Sequence, residues 1–182
     1  MQALVRPIAE HDALYELTHA HAVNTQARSM VLTCAEDFRR MLEARPVEPA
    51  RLKAVMASAA VWWDVLEQMP DAAVWVAANR TIPEEIIRHL SAHASIQVRT
   101  AIASNPEMGD DVMIALAHDK SDLVRMRVAC NAQTSRAVLA DLVADPCVVV
   151  SKHAQARLQH DINGVTLPSS YLDEVSMFDL LH

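Results

Sequence analysis

The chain has 182 residues, just over half of them apolar (52%), and a formal net charge of −7. That length suits one domain, or one repeat array with caps, around a buried core, and the acidic balance makes a phosphate backbone a poor partner. Two glycines, Gly109 and Gly164, are too few for barrels, parallel sheets or glycine-rich phosphate loops. Alanine, leucine, arginine and glutamate favour helix instead, so the expectation is an all-α chain.

Three widely spaced cysteines, Cys34, Cys130 and Cys147, argue against a secreted disulfide framework and against a complete four-cysteine cluster. Met1 to Pro7 leads into charged residues without an apolar leader. No apolar run approaches the ~20 residues that span a bilayer. A cytoplasmic protein without a membrane partner is expected. Arginine far outnumbers lysine, which fits a GC-rich bacterial coding sequence.

In chain order, residues 1–45 read as an N-terminal helical cap. Ala9 to His21 forms one helix. Asn24 or Thr25 caps a second through Met30, Val31, Cys34, Phe38, Met41 and Leu42, spaced as a helical stripe. Arg45-Pro46 ends it. An array over 46–158 follows. Pro49 to Ala60 and Val61 to Met69 read as two helices of a degenerate first unit, the second carrying Trp62 and Trp63.

Clear repeats occupy 71–158. Val76-Ala77-Ala78-Asn79, Ile102-Ala103-Ser104-Asn105 and Val128-Ala129-Cys130-Asn131 are one phrase at a period of 26, and Leu90, Leu116 and Leu142 keep the same period. A fixed period in this range marks stacked units that cannot bury their apolar faces alone. Each unit reads as a short helix, a tight turn and a second helix. Thr81 with Glu84 reads as a capping box, with Asp110 and Thr134 or Ser135 as later caps. Val148 to Leu158 is a half repeat in which Arg157 stands where asparagine would sit. Residues 159–182 are acidic, with apolar residues from Tyr171 to Leu181, and read as a C-terminal cap or docking tail.

These phrases, with Val98-Arg99, Leu116-Ala117-His118-Asp119 and Val124-Arg125, resemble the variant leucine-rich repeat and the neighbouring HEAT-like class. The resemblance implies a right-handed α-solenoid with helical caps that binds other proteins. Some relatives of that kind carry an N-terminal iron–sulfur module. Only Cys34 lies in the first 45 residues here, so no cofactor is expected. Asp119 before Arg125 resembles the aspartate–arginine ladder of HEAT units. His93 replaces the aspartate before Arg99, and Ser151 the arginine after Asp145.

Several groups invite a chemical reading. Asn79, Asn105 and Asn131 either line a surface or satisfy backbone groups at turns, and the turn role fits asparagine better. His89 and His93 have the i, i+4 spacing of a metal pair but lack the metalloprotease glutamate, so two solvated histidines are the simpler reading. Cys130 aligns with Ala78 and Ser104, which points to a small packed residue. Of Trp62, Trp63 and Trp75, the adjacent pair point about 100° apart on a helix, so one of the two is a candidate exposed anchor. The expected function is non-enzymatic protein binding on a concave solenoid surface, tuned by Trp62, Trp63, Trp75, Glu85, Arg88, His89, Arg99, Asp111, Met113, Arg125 and Asp141. An acidic inhibitor or immunity protein for a basic bacterial toxin is the sharper form. The alternatives are a HEAT-like nucleic-acid repair enzyme, which needs a basic groove, and a metal-carrying assembly scaffold.

Overall fold

A computed structural model describes residues 30–43 and 52–163, with side chains up to Gln159. The expected helix Ala9–His21, the start of the next helix, the Arg45-Pro46 stop and the acidic segment 164–182 lie outside the described residues. Every element below belongs to the unit Val31–His182. The described residues are helical, and apart from one parallel bridge between Val31 and Met56 they contain no strand.

The elements are α1 (Ala35–Glu43), α2 (Ala59–Gln68), a 3₁₀ turn (Pro70–Ala72) running into α3 (Ala73–Ala77), α4 (Glu84–Ser91), α5 (Ile96–Ala103), α6 (Asp110–Ala117), α7 (Asp122–Cys130), α8 (Arg136–Leu142) and α9 (Val148–Asn163). Two expectations near the start are corrected. Residues 31–34 are not helical: the Leu32 amide donates to the Met56 carbonyl, and the Thr33 amide and hydroxyl both donate to Asp37 Oδ2. These bonds hold the strand-like pairing and start α1 only at Ala35. The expected helix Pro49–Ala60 is likewise interrupted over its described residues: Leu52 is helical, Lys53 and Ala54 turn, and Met56 forms the bridge. Ser58 then caps α2, its Oγ accepting from the Val61 amide, so the helix begins at Ala59.

The caps of the later helices also differ in detail. Pro83 and Gly109 hold the N-cap positions of α4 and α6, in place of Thr81 and Asp110, and Ser135 caps α8. Thr81 instead gives its hydroxyl proton to the Val55 carbonyl, and Thr134 gives its own to Val128. A threonine already bonded backwards cannot reach forward to a helix start.

Odd-numbered helices α3, α5, α7 and α9 pack one on the next, and α2, α4, α6 and α8 do the same beside them. The period explains both rows. Val76, Ile102, Val128 and Ala154 are wholly buried in the odd row. In the even row Ile87, Met113 and Leu139 are buried at one register and Leu90, Leu116 and Leu142 at another. The first unit is one residue shorter: the N-caps Ser58, Pro83, Gly109 and Ser135 are 25, 26 and 26 apart. Trp62 therefore falls in the Ile87 column and Val65 in the Leu90 column, and both are buried.

The asparagine column closes the turns between the rows. Asn79 Nδ2 donates to the carbonyls of Leu52 (2.7 Å) and Val55 (2.8 Å). Asn105 Nδ2 donates to the carbonyl of Asn79 (3.0 Å), and Asn131 Nδ2 to those of Ala103 (2.9 Å) and Asn105 (3.0 Å). Each Oδ1 accepts the amide two residues on, from Thr81, Glu107 and Gln133. The side chains are buried, and bonding to the previous unit's turn meets the requirement that buried backbone groups be satisfied.

A second ladder runs through charged residues. Arg99 Nε and Nη2 form a two-pronged pair with Asp119 (2.6 and 3.0 Å), and Arg125 does the same with Asp145 (2.7 and 3.0 Å). The partner of each arginine is thus the aspartate 20 residues later, and Asp119 offers Arg125 only its backbone carbonyl, at 2.8 Å from Nη1. Arg99 Nη1 likewise binds the carbonyls of His93 and Ala94. His93 Nδ1 accepts the Ser95 amide as Asp119 Oδ1 accepts that of Ser121. The histidine keeps the turn while Ala73, at the arginine register, leaves no cation to pair.

Candidate functional site

The exposed side of the even row gathers most of the sequence candidates. Between the buried columns, the helical period turns outward Asp64 and Glu67 on α2, Glu84, Glu85, Arg88 and His89 on α4, Asp110, Asp111 and Ile114 on α6, and Arg136 and Asp141 on α8. Seven carboxylates therefore face two arginines across four helices.

Arg88 ties two neighbouring helices together. It pairs with Glu84 one turn back, and its Nε lies 3.1 Å from Asp111 Oδ2 on α6. The Val112 amide in the first turn of α6, followed by Arg88, holds the Asp111 carboxyl below its ordinary range. Among the described residues Asp64, Glu67, Glu85, Asp110 and Asp141 carry no ion pair, so their charge faces solvent.

The adjacent tryptophans divide. Trp62 is wholly buried, its ring edge-on to Phe38 at 5.5 Å between centroids. Its indole nitrogen finds no hydrogen-bond partner among the described residues. Trp63 keeps 38% of its surface exposed and meets the His89 ring at 4.7 Å, edge to face at 68°. Trp75 is half-buried against the core. Ile114, which the sequence reading passed over, is 52% exposed and occupies the register of Trp63 two units later.

Besides Trp62, three expected surface residues lie inside, and Trp75 is only half-exposed. Met113 is 1% exposed because its register is that of Ile87 and Leu139. The side chains of Arg99 and Arg125 are 5% and 14% exposed in their aspartate pairs. The outward set narrows to Trp63, Glu85, Arg88, His89, Asp111 and Asp141. The Ser58 N-cap sets Trp62 inward and Trp63 outward.

His89 and His93 do not converge: one ring rests on Trp63 and the other binds the Ser95 amide. Among the described residues no group of three histidine, cysteine, aspartate or glutamate side chains is placed to hold a metal ion. Cys130 Sγ lies 3.6 Å from His153 Nδ1. Burial raises the thiol's pKa against the pull of Arg127 and Arg157, which keeps it protonated and a poor nucleophile. Among the described residues no helix is long and apolar enough to cross a membrane. Compared with protein-family models, with curated proteins and with solved structures, the chain matches none of them.

Proposed function

We propose that this chain is a non-enzymatic, protein-binding α-solenoid of the variant leucine-rich repeat or HEAT-like kind, and that it takes a basic protein on the exposed face of α2, α4, α6 and α8. The observation that carries the reading is the charge of that face, seven carboxylates against two arginines, with the large apolar groups Trp63 and Ile114 exposed among them. Apolar anchors ringed by charge of one sign are the make-up of a steered protein interface. The same charge opposes a nucleic-acid backbone. In its sharper form the protein is an acidic inhibitor or immunity protein that neutralises a basic bacterial toxin such as a nuclease.

The test is a pull-down with the tagged full chain at low salt, repeated with a charge-reversed D64K/E85K/D110K/D141K variant. Basic partners that elute as salt rises and that the variant fails to retain support the reading. Recovery of acidic partners only, or binding indifferent to salt and to the four reversals, overturns it. A toxin encoded by the neighbouring gene would supply the first protein to try.

A further inference from the structure

The charge of the even-row face favours a basic partner, and the surroundings of Trp63 favour one kind of side chain on it. Trp63 is a large aromatic ring left 38% exposed on a helix that buries its immediate neighbour completely. The His89 ring from the next helix of the row contacts it at 4.7 Å. Glu67 lies one helical turn after Trp63 on the same side of α2, and Glu85 one turn before His89 on the same side of α4. Both carboxylates are exposed, and among the described residues neither is engaged in an ion pair. Glu84 and Asp111, by contrast, are already committed to Arg88.

We propose that this pair of helices is a docking point for an arginine-bearing segment of a basic protein, with one guanidinium seated against Trp63 between Glu67 and Glu85. The inference rests on the reading above and names the side chain that it would recognise. A guanidinium suits the place on three counts. Its flat cation is attracted to an indole face. It is weakly hydrated and can leave water at modest cost. Its fork of donors can serve carboxylates beside the ring. Lysine offers a compact, strongly hydrated charge and gains less from the ring. The contact with His89 restricts the indole before binding, which reduces the side-chain freedom lost when the cation arrives.

The test is a titration of the full chain with deca-arginine and deca-lysine peptides at low salt, followed by the indole N–H resonance of Trp63 and by calorimetry. Trp63→Ala, Trp63→Phe and Glu67→Gln/Glu85→Gln are compared with the unaltered chain, each checked by thermal unfolding. The expected result is several-fold tighter binding of deca-arginine than of deca-lysine, a shift of the Trp63 resonance, and a loss of about tenfold in Trp63→Ala that Trp63→Phe largely restores. The double glutamine variant weakens deca-arginine several-fold. Equal affinity for the two peptides, or an affinity that Trp63→Ala leaves unchanged, overturns this docking point while leaving the acidic-face reading intact. Binding of neither peptide at low salt overturns both.

Discussion

Arg157 donates from Nη1 to the carbonyl of Asn131 at 2.9 Å, the same kind of bond that Asn131 makes to Asn105 and Asn105 to Asn79. Arg157 sits 26 residues after Asn131, so it fills the next place in the asparagine column. It also reaches the carbonyls of Cys130 (3.1 Å) and Ala132 (3.3 Å). An asparagine there would bring two donors to the turn. The guanidinium brings more and satisfies three carbonyls of the last complete unit.

Arg157→Ala should therefore lower stability by about 1–3 kcal/mol, the range for stripping a charged donor from acceptors that water partly reaches. Arg157→Asn should recover part of the loss through the Asn131 carbonyl alone. Urea unfolding followed by circular dichroism reads both, and equal midpoints for the two variants would contradict the shared-column geometry.

Within the column, Asn105→Ala removes the donor to Asn79 and the acceptor for the Glu107 amide. A cost of about 1–3 kcal/mol for each buried group left unmet is expected. Asn105→Asp should be worse near neutral pH, because a buried carboxylate would face the Asn79 carbonyl. That variant should regain stability as acid protonates it, and a midpoint that does not rise on mild acidification would rule out the contact.

Asp119 and Asp145 give the fold a defined acid sensitivity. Burial pushes the Asp119 carboxyl up, but the bonds from Arg99 and the Ser121 amide outweigh it and hold the group below the ordinary 3.8. For Asp145 the Arg125 bond is the largest cause, again with a net lowering. A carboxyl lowered in the fold contributes stability that is present above its unfolded value and lost as pH falls through the folded one. The chain should lose stability below about pH 4, and Asp119→Asn/Asp145→Asn should be less stable at neutral pH with a flatter acid limb. Removing one partner outright, as in Asp145→Ala, should cost about 3–5 kcal/mol by stranding Arg125. Unfolding midpoints from neutral to acid pH provide the check.

The two adjacent tryptophans should behave oppositely. Trp62→Ala opens a cavity against Phe38 and should cost about 3–5 kcal/mol. Trp62→Phe should be milder, since it also removes an indole donor that has no partner among the described residues. Trp63→Ala should cost under about 1 kcal/mol. Comparable losses at the two positions would overturn the register set by the Ser58 cap.

Much of this was legible in the residues. The 26-residue period placed the helices between Asp71 and Val143 to within a residue or two, because a stacked unit must repeat its buried columns, as Val76, Ile102 and Val128 do, whereas the last helix runs to Asn163 and not to Leu158. The asparagine column read as turn residues, and their bonds bear out that role. The Arg99 and Arg125 phrases suggested a ladder but not its partners. Spacing along the chain puts Asp119 nearest to Arg125, whereas the stacking of α5 on α7 brings the Asp119 carboxylate to Arg99.

The sequence by itself determined the helical character of the described residues and the recurrence of their buried columns, since composition and a fixed apolar period are local properties of the residues. Tertiary structure decided which of two adjacent tryptophans is buried and which carboxylates of the exposed face remain outside ion pairs. Those outcomes depend on a one-residue shift at the Ser58 cap and on what the neighbouring helix presents. On a helix one residue is a turn of about 100°, enough to carry a side chain from the core to the surface.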